Sequence, residues 1–159
     1  MERYFRTEKG KLVDILDYTG EQIAKNPDVK IYIGCDSQVF GPEIKFVISI
    51  VYRVGVKGGH CIYRVIKKSR PPKNVPKEVQ VHERLMEEVY MTMELAQFFI
   101  DNSSIKLHAV EFDFNEEEIH MSNKLLNLAT GWAKGLNLPA RTKPEELIAC
   151  KYSDHICRT

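Results

Sequence analysis

Residues 31–40 read IYIGCDSQVF, an apolar stretch in which a bare carboxylate, Asp36, follows a run of buried-type residues. Side chains alternate along it with the two-residue period of a strand, which places Ile31, Ile33 and Cys35 on one side and Tyr32, Gly34 and Asp36 on the other. A lone carboxylate in a buried strand costs several kcal/mol unless it is hydrogen-bonded, paired with a cation or bound to a metal. Asp36 therefore raises a question about function as well as about fold.

The strand at 31–36 is predicted to start an antiparallel meander. Two stretches that follow it, IKFVISIVYRV at 44–54 and HCIYRVI at 60–66, are rich in β-branched and aromatic residues and are joined by short glycine-containing connections. A long helical pattern at 78–101 then precedes a strand pattern at 105–114. A strand, a crossover helix and a second strand predict parallel pairing between the strand at 31–36 and the one at 105–114.

Other segments are predicted to be helical. Residues 11–25 carry apolar side chains at helical spacing, within an N-terminal helical extension over 1–28. A further helix is predicted over 116–136, with Asn115 as its N-cap. The last helix is predicted over 141–158, after a short strand.

These elements predict one α/β domain over residues 1–159. Its sheet is expected to be mixed, with three antiparallel strands followed by a parallel strand and with helices packed on the sheet. No stretch approaches the roughly 20 apolar residues of a membrane span, and the start MERYFRTEKGK is polar, so a cytoplasmic, non-membrane protein is expected. Four scattered cysteines form no C-x-x-C pair, which argues against a zinc knuckle or a thioredoxin-like motif.

Charge is balanced overall but not locally. The net charge is +1, from 23 basic and 22 acidic residues, so bulk electrostatics does not indicate a nucleic-acid partner. Residues 67–77, KKSRPPKNVPK, combine five cations with three prolines and no acid. This segment is predicted to be an exposed basic loop, either a solvated linker or an arm that contacts phosphates.

Three more carboxylates lie on faces that should be apolar. Glu88 falls in the inward stripe of the long helix, where Glu87 and Glu83 are the alternative candidates. Asp113 ends one face of the strand at 105–114, and Asp154 is flanked by apolar neighbours in the last helix. Taken singly, each acid has a structural explanation as a turn residue, an ion-pair partner or a helix-end residue.

The predicted topology brings these acids together. Parallel strands place Asp36 beside Asp113, the crossover helix brings Glu88, and the last helix delivers Asp154. Four converging carboxylates need cations to neutralise their repulsion, and all-oxygen ligation favours Mg²⁺ or Mn²⁺. Two such ions about 4 Å apart form a clamp for phosphodiester hydrolysis. The acids therefore predict a two-ion site for phosphoryl chemistry.

The order of elements, with acids on the first strand, the long helix, the fourth strand and the last helix, resembles the ribonuclease H-like fold. The chain is more closely similar to the YkuK family of RNase H-related nucleases, from about residue 8 almost to the C-terminus. The motifs that carry this similarity are IGCDSQ, HERLMEEVYMTMELA, EFDFN, SNKLLNLATGWAKGLNLPARTKP and SDH. Cys35 stands where that family usually has threonine, which exchanges one small side chain for another.

The resemblance implies a role for each acid. Asp36 matches the first-strand aspartate that bridges both metals in active enzymes, and Asp113 matches the fourth-strand aspartate. Asp154 matches the last-helix aspartate that binds one metal, and Glu88 or one of its two alternatives matches the helix carboxylate. Gln38 stands where proofreading exonucleases of this superfold carry a second acid, which argues against that subfamily.

Four other residues are candidates for contact with substrate. Ser37 and Gln38 are placed to hydrogen-bond a scissile phosphate or a 2′-hydroxyl, or are simple turn residues. Lys143 is a candidate to neutralise substrate phosphate, with solvation at a helix end as the alternative. His155 is a candidate proton shuttle, with an ordinary surface histidine as the alternative.

Three functions follow from these patterns. The first is a Mg²⁺- or Mn²⁺-dependent nuclease that acts on RNA, DNA or a hybrid. The second is a non-catalytic RNase H-like module that binds nucleic acid or a protein partner, because fold alone does not imply catalysis. The third is a metal-dependent phosphohydrolase that acts on nucleotides. The sequence leaves strandedness, RNA or DNA preference and oligomeric state open.

Overall fold

A computed structural model describes residues 1–56, 58–121 and 123–159, which form a seven-stranded mixed sheet and five helices. The strands are β1 (Tyr4–Thr7), β2 (Leu12–Asp14), β3 (Lys30–Phe40), β4 (Glu43–Arg53), β5 (His60–Ser69), β6 (Ala109–Phe112) and β7 (Ala140–Thr142). The helices are α1 (Ile15–Lys25), α2 (Lys77–Asn102), α3 (Glu116–Met121), α4 (Asn123–Gly135) and α5 (Ala149–Cys157). The strand order is β2-β1-β5-β4-β3-β6-β7.

The predicted meander is confirmed as β3, β4 and β5. All three pair antiparallel, and the β3–β4 hairpin is continuous from Lys30 opposite Arg53 to Phe40 opposite Glu43. The turn between these strands contains Gly41 with a φ of 55°, a left-handed conformation that glycine adopts without steric cost. One expectation is corrected here: the strand does not end at Asp36, because hairpin pairing with β4 continues it for four more residues.

Parallel pairing puts two of the predicted acids in the same row. β3 pairs parallel with β6, with Gly34 opposite Glu111, and β6 pairs parallel with β7, with Glu111 opposite Arg141. Asp36 lies two residues after Gly34, and Asp113 lies two residues after Glu111, just past the end of β6. The predicted fold class is thus confirmed, and Asp36 lies where β3 loses its parallel neighbour rather than where β3 ends.

Different helices cover the two faces of the sheet. Ile33 and Cys35 on β3 belong to the main hydrophobic core with Leu85 of α2 and other α2 side chains. The opposite face of β3 receives α5, which approaches so closely that a Cβ on Gly34 would lie 2.9 Å from the backbone nitrogen of Cys150. Gly34 therefore permits the close packing of α5 on the strand that carries Asp36.

The N-terminal prediction is wrong in part. The helix begins at Ile15, and residues 4–14 instead form the β1–β2 hairpin, which extends the sheet next to β5. Asp14 caps α1, because its side chain accepts hydrogen bonds from the backbone nitrogens of Leu16 and Asp17. A short hairpin gains its stability from the strand it joins, which local periodicity does not report.

Three other boundaries differ from the prediction. The basic segment 67–77 is a loop only over 70–76, since pairing with β4 holds Lys67 to Ser69 in β5. The helix predicted over 116–136 appears as α3 and α4, and residue 122 lies outside the described residues. The last helix begins at Ala149, because part of the predicted segment forms β7 and the loop after it.

None of the helices in the described ranges is long and apolar enough to cross a membrane. The four cysteines are buried and free.

Candidate active-site cleft

A cleft of about 700 Å³ opens where β6 and β7 end beside β3. Three of the four predicted acids and three of the four predicted substrate contacts line it: Asp36, Asp113, Asp154, Ser37, Gln38 and Lys143. The other polar or charged residues of its wall are Arg84, Asn115, Glu118, Glu145, Lys151 and Arg158. The fold thus gathers acids from a strand, a strand end and a helix into one solvent-open site.

Asp36 interacts with the other two aspartates of the cleft. Burial, a hydrogen bond with Asp154, and repulsion from Asp154 and Asp113 together raise the pKa of Asp36 to about 7. The backbone N–H of Ser37 opposes this shift. No lysine or arginine pairs with the Asp36 carboxylate among the described residues, so it is the acid of this group with the least compensated charge.

This pKa predicts how stability depends on pH. The folded protein holds the Asp36 proton more tightly than the unfolded chain, so this stabilisation is present at about pH 4 and is lost as the pH rises through about 7. We expect Asp36→Asn to gain about 2 to 4 kcal/mol in unfolding free energy relative to wild type between these limits. Urea unfolding of both proteins across this range, with EDTA present, measures the difference. Parallel stability curves would contradict it.

Asp113 is paired with Lys143. The Lys143 ammonium lies 2.9 Å from Asp113 Oδ1, and Asp113 raises the lysine pKa by hydrogen bonding and by charge attraction. Oδ1 is nevertheless buried without a hydrogen bond of normal directionality among the described residues. One oxygen of this carboxylate thus has a cation beside it but retains unused acceptor capacity.

Asp154 is held by two partners on its Oδ1 atom. Arg158 Nε, one turn further along the chain, donates at 2.9 Å, and Gln38 Nε2 donates at 3.3 Å from β3. The amide of Gln38 therefore links the strand that carries Asp36 to the helix that carries Asp154. This contact is one link between α5 and the wall of the cleft.

Glu88 reaches the strand from its other face. Ser37 Oγ donates to Glu88 Oε2 at 2.5 Å, and Arg84 Nη1 donates to the same oxygen at 3.3 Å. Burial, followed by the Asp36 charge, raises the pKa of Glu88 well above its ordinary value, while Ser37 and Arg84 act in the opposite direction. Arg84 Nη2 also donates to Glu118 at 2.8 Å, and Glu118 lines the cleft. Glu88 is therefore buried behind the cleft wall and connected to the cleft through Ser37 and Arg84.

Three predicted residues lie elsewhere. Glu87 pairs with Lys68 and lines a separate cavity, and Glu83 is exposed on α2. Of the three candidate glutamates, Glu88 is the one that contacts β3 next to Asp36. His155, although adjacent in sequence to Asp154, lines another cavity with Arg53 rather than the cleft.

A family comparison becomes informative once this geometry is known. The family model described as Ribonuclease H-like matches residues 12–158. The chain belongs to the ribonuclease H-like family. A RuvC structure from Thermus thermophilus is similar at 12% identity with a TM-score of 0.37, covering 70% of this chain and 62% of that one. The chain thus spans less than two thirds of the RuvC chain, and none of the curated proteins compared matches it.

The donor set of this ribonuclease H-like cleft suits a hard divalent cation. Its acids offer carboxylate oxygens, which Mg²⁺ and Mn²⁺ prefer, and the buried Asp113 Oδ1 has acceptor capacity left. In this conformation no three histidine, cysteine, aspartate or glutamate side chains in the described part of the chain converge closely enough to hold a metal ion. The chemistry of the ligands fits, and in this conformation Lys143 pairs with Asp113 and Arg158 with Asp154.

Sequence reasoning missed Arg84 and Glu111. Arg84 precedes Glu88 by four residues on one helix, a spacing that indicates an ion pair and was available in the sequence. Glu111 is 1% exposed, and its carboxylate accepts the backbone N–H groups of Ile148 at 2.9 Å and Cys150 at 3.0 Å. Burial raises the pKa of Glu111, and these N–H groups oppose the shift. Glu111 thus caps α5 from a distant strand, which no local pattern indicates.

Proposed function

We propose that this ribonuclease H-like protein is a divalent-metal-dependent nuclease that hydrolyses phosphodiester bonds with two Mg²⁺ or Mn²⁺ ions. The observation that supports this most is the meeting of Asp36, Asp113 and Asp154 in one cleft of a ribonuclease H-like fold. Three different elements deliver these acids, and burial, together with the hydrogen bond with Asp154 and repulsion by Asp154 and Asp113, raises the pKa of Asp36. Carboxylates with raised pKa values cluster at functional sites, and a bound cation would neutralise the negative charges that meet here.

The three aspartates would hold the ions. Asp36 would contribute to both ions, as the family resemblance implies, and Asp113 and Asp154, with which it interacts, would complete the carboxylate set. The bound cations would activate a water and stabilise the departing 3′ oxygen. Glu88 supports this arrangement from behind by fixing Ser37, the residue after Asp36.

The proposed substrate is a nucleic acid: RNA, DNA or a hybrid of the two. Lys143 and Arg158 line the cleft and supply positive charge for backbone phosphates. Lys67, Arg70 and other cations are exposed at the end of β5 and in the 70–76 loop, where they are further candidates for backbone contacts. We also propose that the chain belongs to the YkuK family, to which its motifs are similar.

One observation favours a second candidate, a non-catalytic RNase H-like module that binds nucleic acid or a protein partner. Asp113, Asp154 and Glu88 each already have a basic side chain as partner. A cleft that never takes up a cation would keep these ion pairs permanently. Metal titration separates the two candidates, because the module is expected to bind no Mn²⁺ in the cleft.

A cleavage assay tests the nuclease directly. Purified protein is incubated with single-stranded RNA, single-stranded DNA, both duplexes and an RNA/DNA hybrid, with Mg²⁺, with Mn²⁺ or with EDTA. We expect cleavage of at least one substrate that requires the divalent ion, because the carboxylates alone provide no electrophile for the phosphate. Turnover of free nucleotides but of no polymer would support the phosphohydrolase instead. Metal-independent cleavage would contradict the proposal.

A further inference from the structure

Three neighbouring parallel strands deliver two acids and one lysine to the same edge of the cleft. Glu111 of β6 is opposite Gly34 of β3 on one side and Arg141 of β7 on the other. Two residues after each of these positions come Asp113, Asp36 and Lys143, respectively. The lysine thus reaches the cleft by the same strand register that brings the two aspartates together.

The contact between Lys143 and Asp113 is close but readily reversible. The ammonium lies 2.9 Å from Oδ1, the oxygen that is buried and lacks a hydrogen bond of normal geometry. The lysine side chain is 54% exposed, so its ammonium can move into solvent on its flexible stem at little cost. Asp36 and Glu118 also attract this ammonium.

We propose that Lys143 is the resident counter-ion of Asp113, which competes with a divalent ion for this carboxylate and leaves it when the cleft is loaded. Two positive groups cannot share one carboxylate oxygen without mutual repulsion, so the ammonium weakens cation binding there. Asp36 has no lysine or arginine partner among the described residues. Of the three aspartates in the cleft, Asp36 therefore has no basic partner in the described part of the chain, whereas Asp113 is paired with Lys143 and Asp154 with Arg158.

This arrangement gives the cleft two unequal cation affinities. Binding at Asp36 requires no displacement of a cation, whereas binding at Asp113 requires displacement of Lys143. Once displaced, the Lys143 ammonium remains in the cleft and is available to a substrate phosphate. The inference rests on the proposed function, because it concerns how the same acids take up their ions.

Titration with Mn²⁺ alone, followed by calorimetry and by the electron paramagnetic resonance signal of free Mn²⁺, tests the competition without any substrate. We expect wild type to show a stronger and a weaker binding event. Lys143→Met, which keeps the apolar stem and removes the charge, is expected to tighten the weaker event roughly three- to tenfold. Lys143→Arg, which keeps the charge, is expected to bind no more tightly than wild type.

Lys151→Met is the matched control, because Lys151 lines the same cleft and has no ion pair with a described residue. Its effect on the weaker event is expected to stay within about twofold, since a solvated charge is screened by salt. An unchanged affinity in Lys143→Met, or an equal gain in Lys151→Met, would overturn the role of Lys143 alone. No Mn²⁺ binding by any variant would overturn the metal-dependent function and this inference with it. Circular dichroism confirms that each variant is folded.

Discussion

Asp36→Asn is expected to lower divalent-metal-dependent cleavage on the order of 10²- to 10³-fold. The substitution keeps the shape of the side chain but removes the charge of the acid that interacts with both Asp113 and Asp154. An amide oxygen is a weaker ligand for Mg²⁺ or Mn²⁺, and a carboxamide cannot bridge two cations as a carboxylate does. Initial rates on the best substrate, measured at saturating metal, give the magnitude.

Loss of activity in this variant would not be explained by unfolding. The raised pKa of Asp36 indicates that its charge destabilises the metal-free fold, so the neutral variant is expected to be at least as stable at neutral pH. Asp28→Asn makes the same chemical change at an exposed position just before β3, at the opposite end of that strand from the cleft. It is expected to keep wild-type activity.

The same assay separates the possible sources of cleavage. Asp113→Asn and Asp154→Asn are also expected to reduce the rate, because both line the cleft with Asp36. Wild-type rates in Asp36→Asn would show that the cleavage comes from another centre or from a contaminating nuclease. Equal loss in Asp28→Asn would show that the assay responds to something other than the cleft.

Glu111→Ala is expected to destabilise the fold by about 2 to 4 kcal/mol. The side chain is almost fully buried and accepts the N–H groups of Ile148 and Cys150, which open α5. Ile148, at the N-cap, offers no side-chain hydrogen bond, so removal of the carboxylate leaves these buried donors without an acceptor. Loss of a buried charge offsets part of this cost. Urea unfolding of wild type and variant measures the difference.

Glu146→Ala provides a matched control two residues before Ile148. Its carboxylate is 70% exposed and pairs with Arg53 at the surface, so its removal is expected to cost at most about 1 kcal/mol. Glu111→Gln retains one carbonyl oxygen and is expected to fall between wild type and Glu111→Ala. Equal stability of Glu111→Ala and Glu146→Ala would contradict the capping role. Because α5 carries Asp154, weaker cleavage is expected to accompany the loss of stability in Glu111→Ala.

The central fold followed from local pattern because its strands are long and strongly apolar. The alternation along 31–36 and the crossover helix predicted the parallel pairing of β3 with β6. The N-terminal hairpin was missed because Tyr4–Thr7 is stabilised by pairing with β5, more than fifty residues away, and Leu12–Asp14 pairs in turn with β1. Short strands depend on such distant partners, which leave no local pattern. The prediction therefore followed the helical spacing of residues 11–25.

The candidate site was predictable to the extent that it depends on register. Asp36 and Asp113 were placed together because parallel strands bring equivalent positions side by side. Asp154 was placed with them through the apolar stripe of the last helix. The prediction for His155 was wrong because it relied on the neighbouring Asp154. Consecutive helix residues point about 100° apart, and His155 lines a different cavity.

The sequence by itself determined which acids this protein has, on which elements they lie and which central strands pair. Apolar periodicity and the order of the elements can both be recognised in short stretches of sequence. Tertiary structure alone decided which partners the acids have on other elements. Glu111 caps a helix that begins 38 residues later, Lys143 pairs with Asp113, and Ser37 contacts Glu88 behind the cleft. These contacts join residues distant in sequence at distances of a few ångströms, and only the packed fold fixes separations of that size.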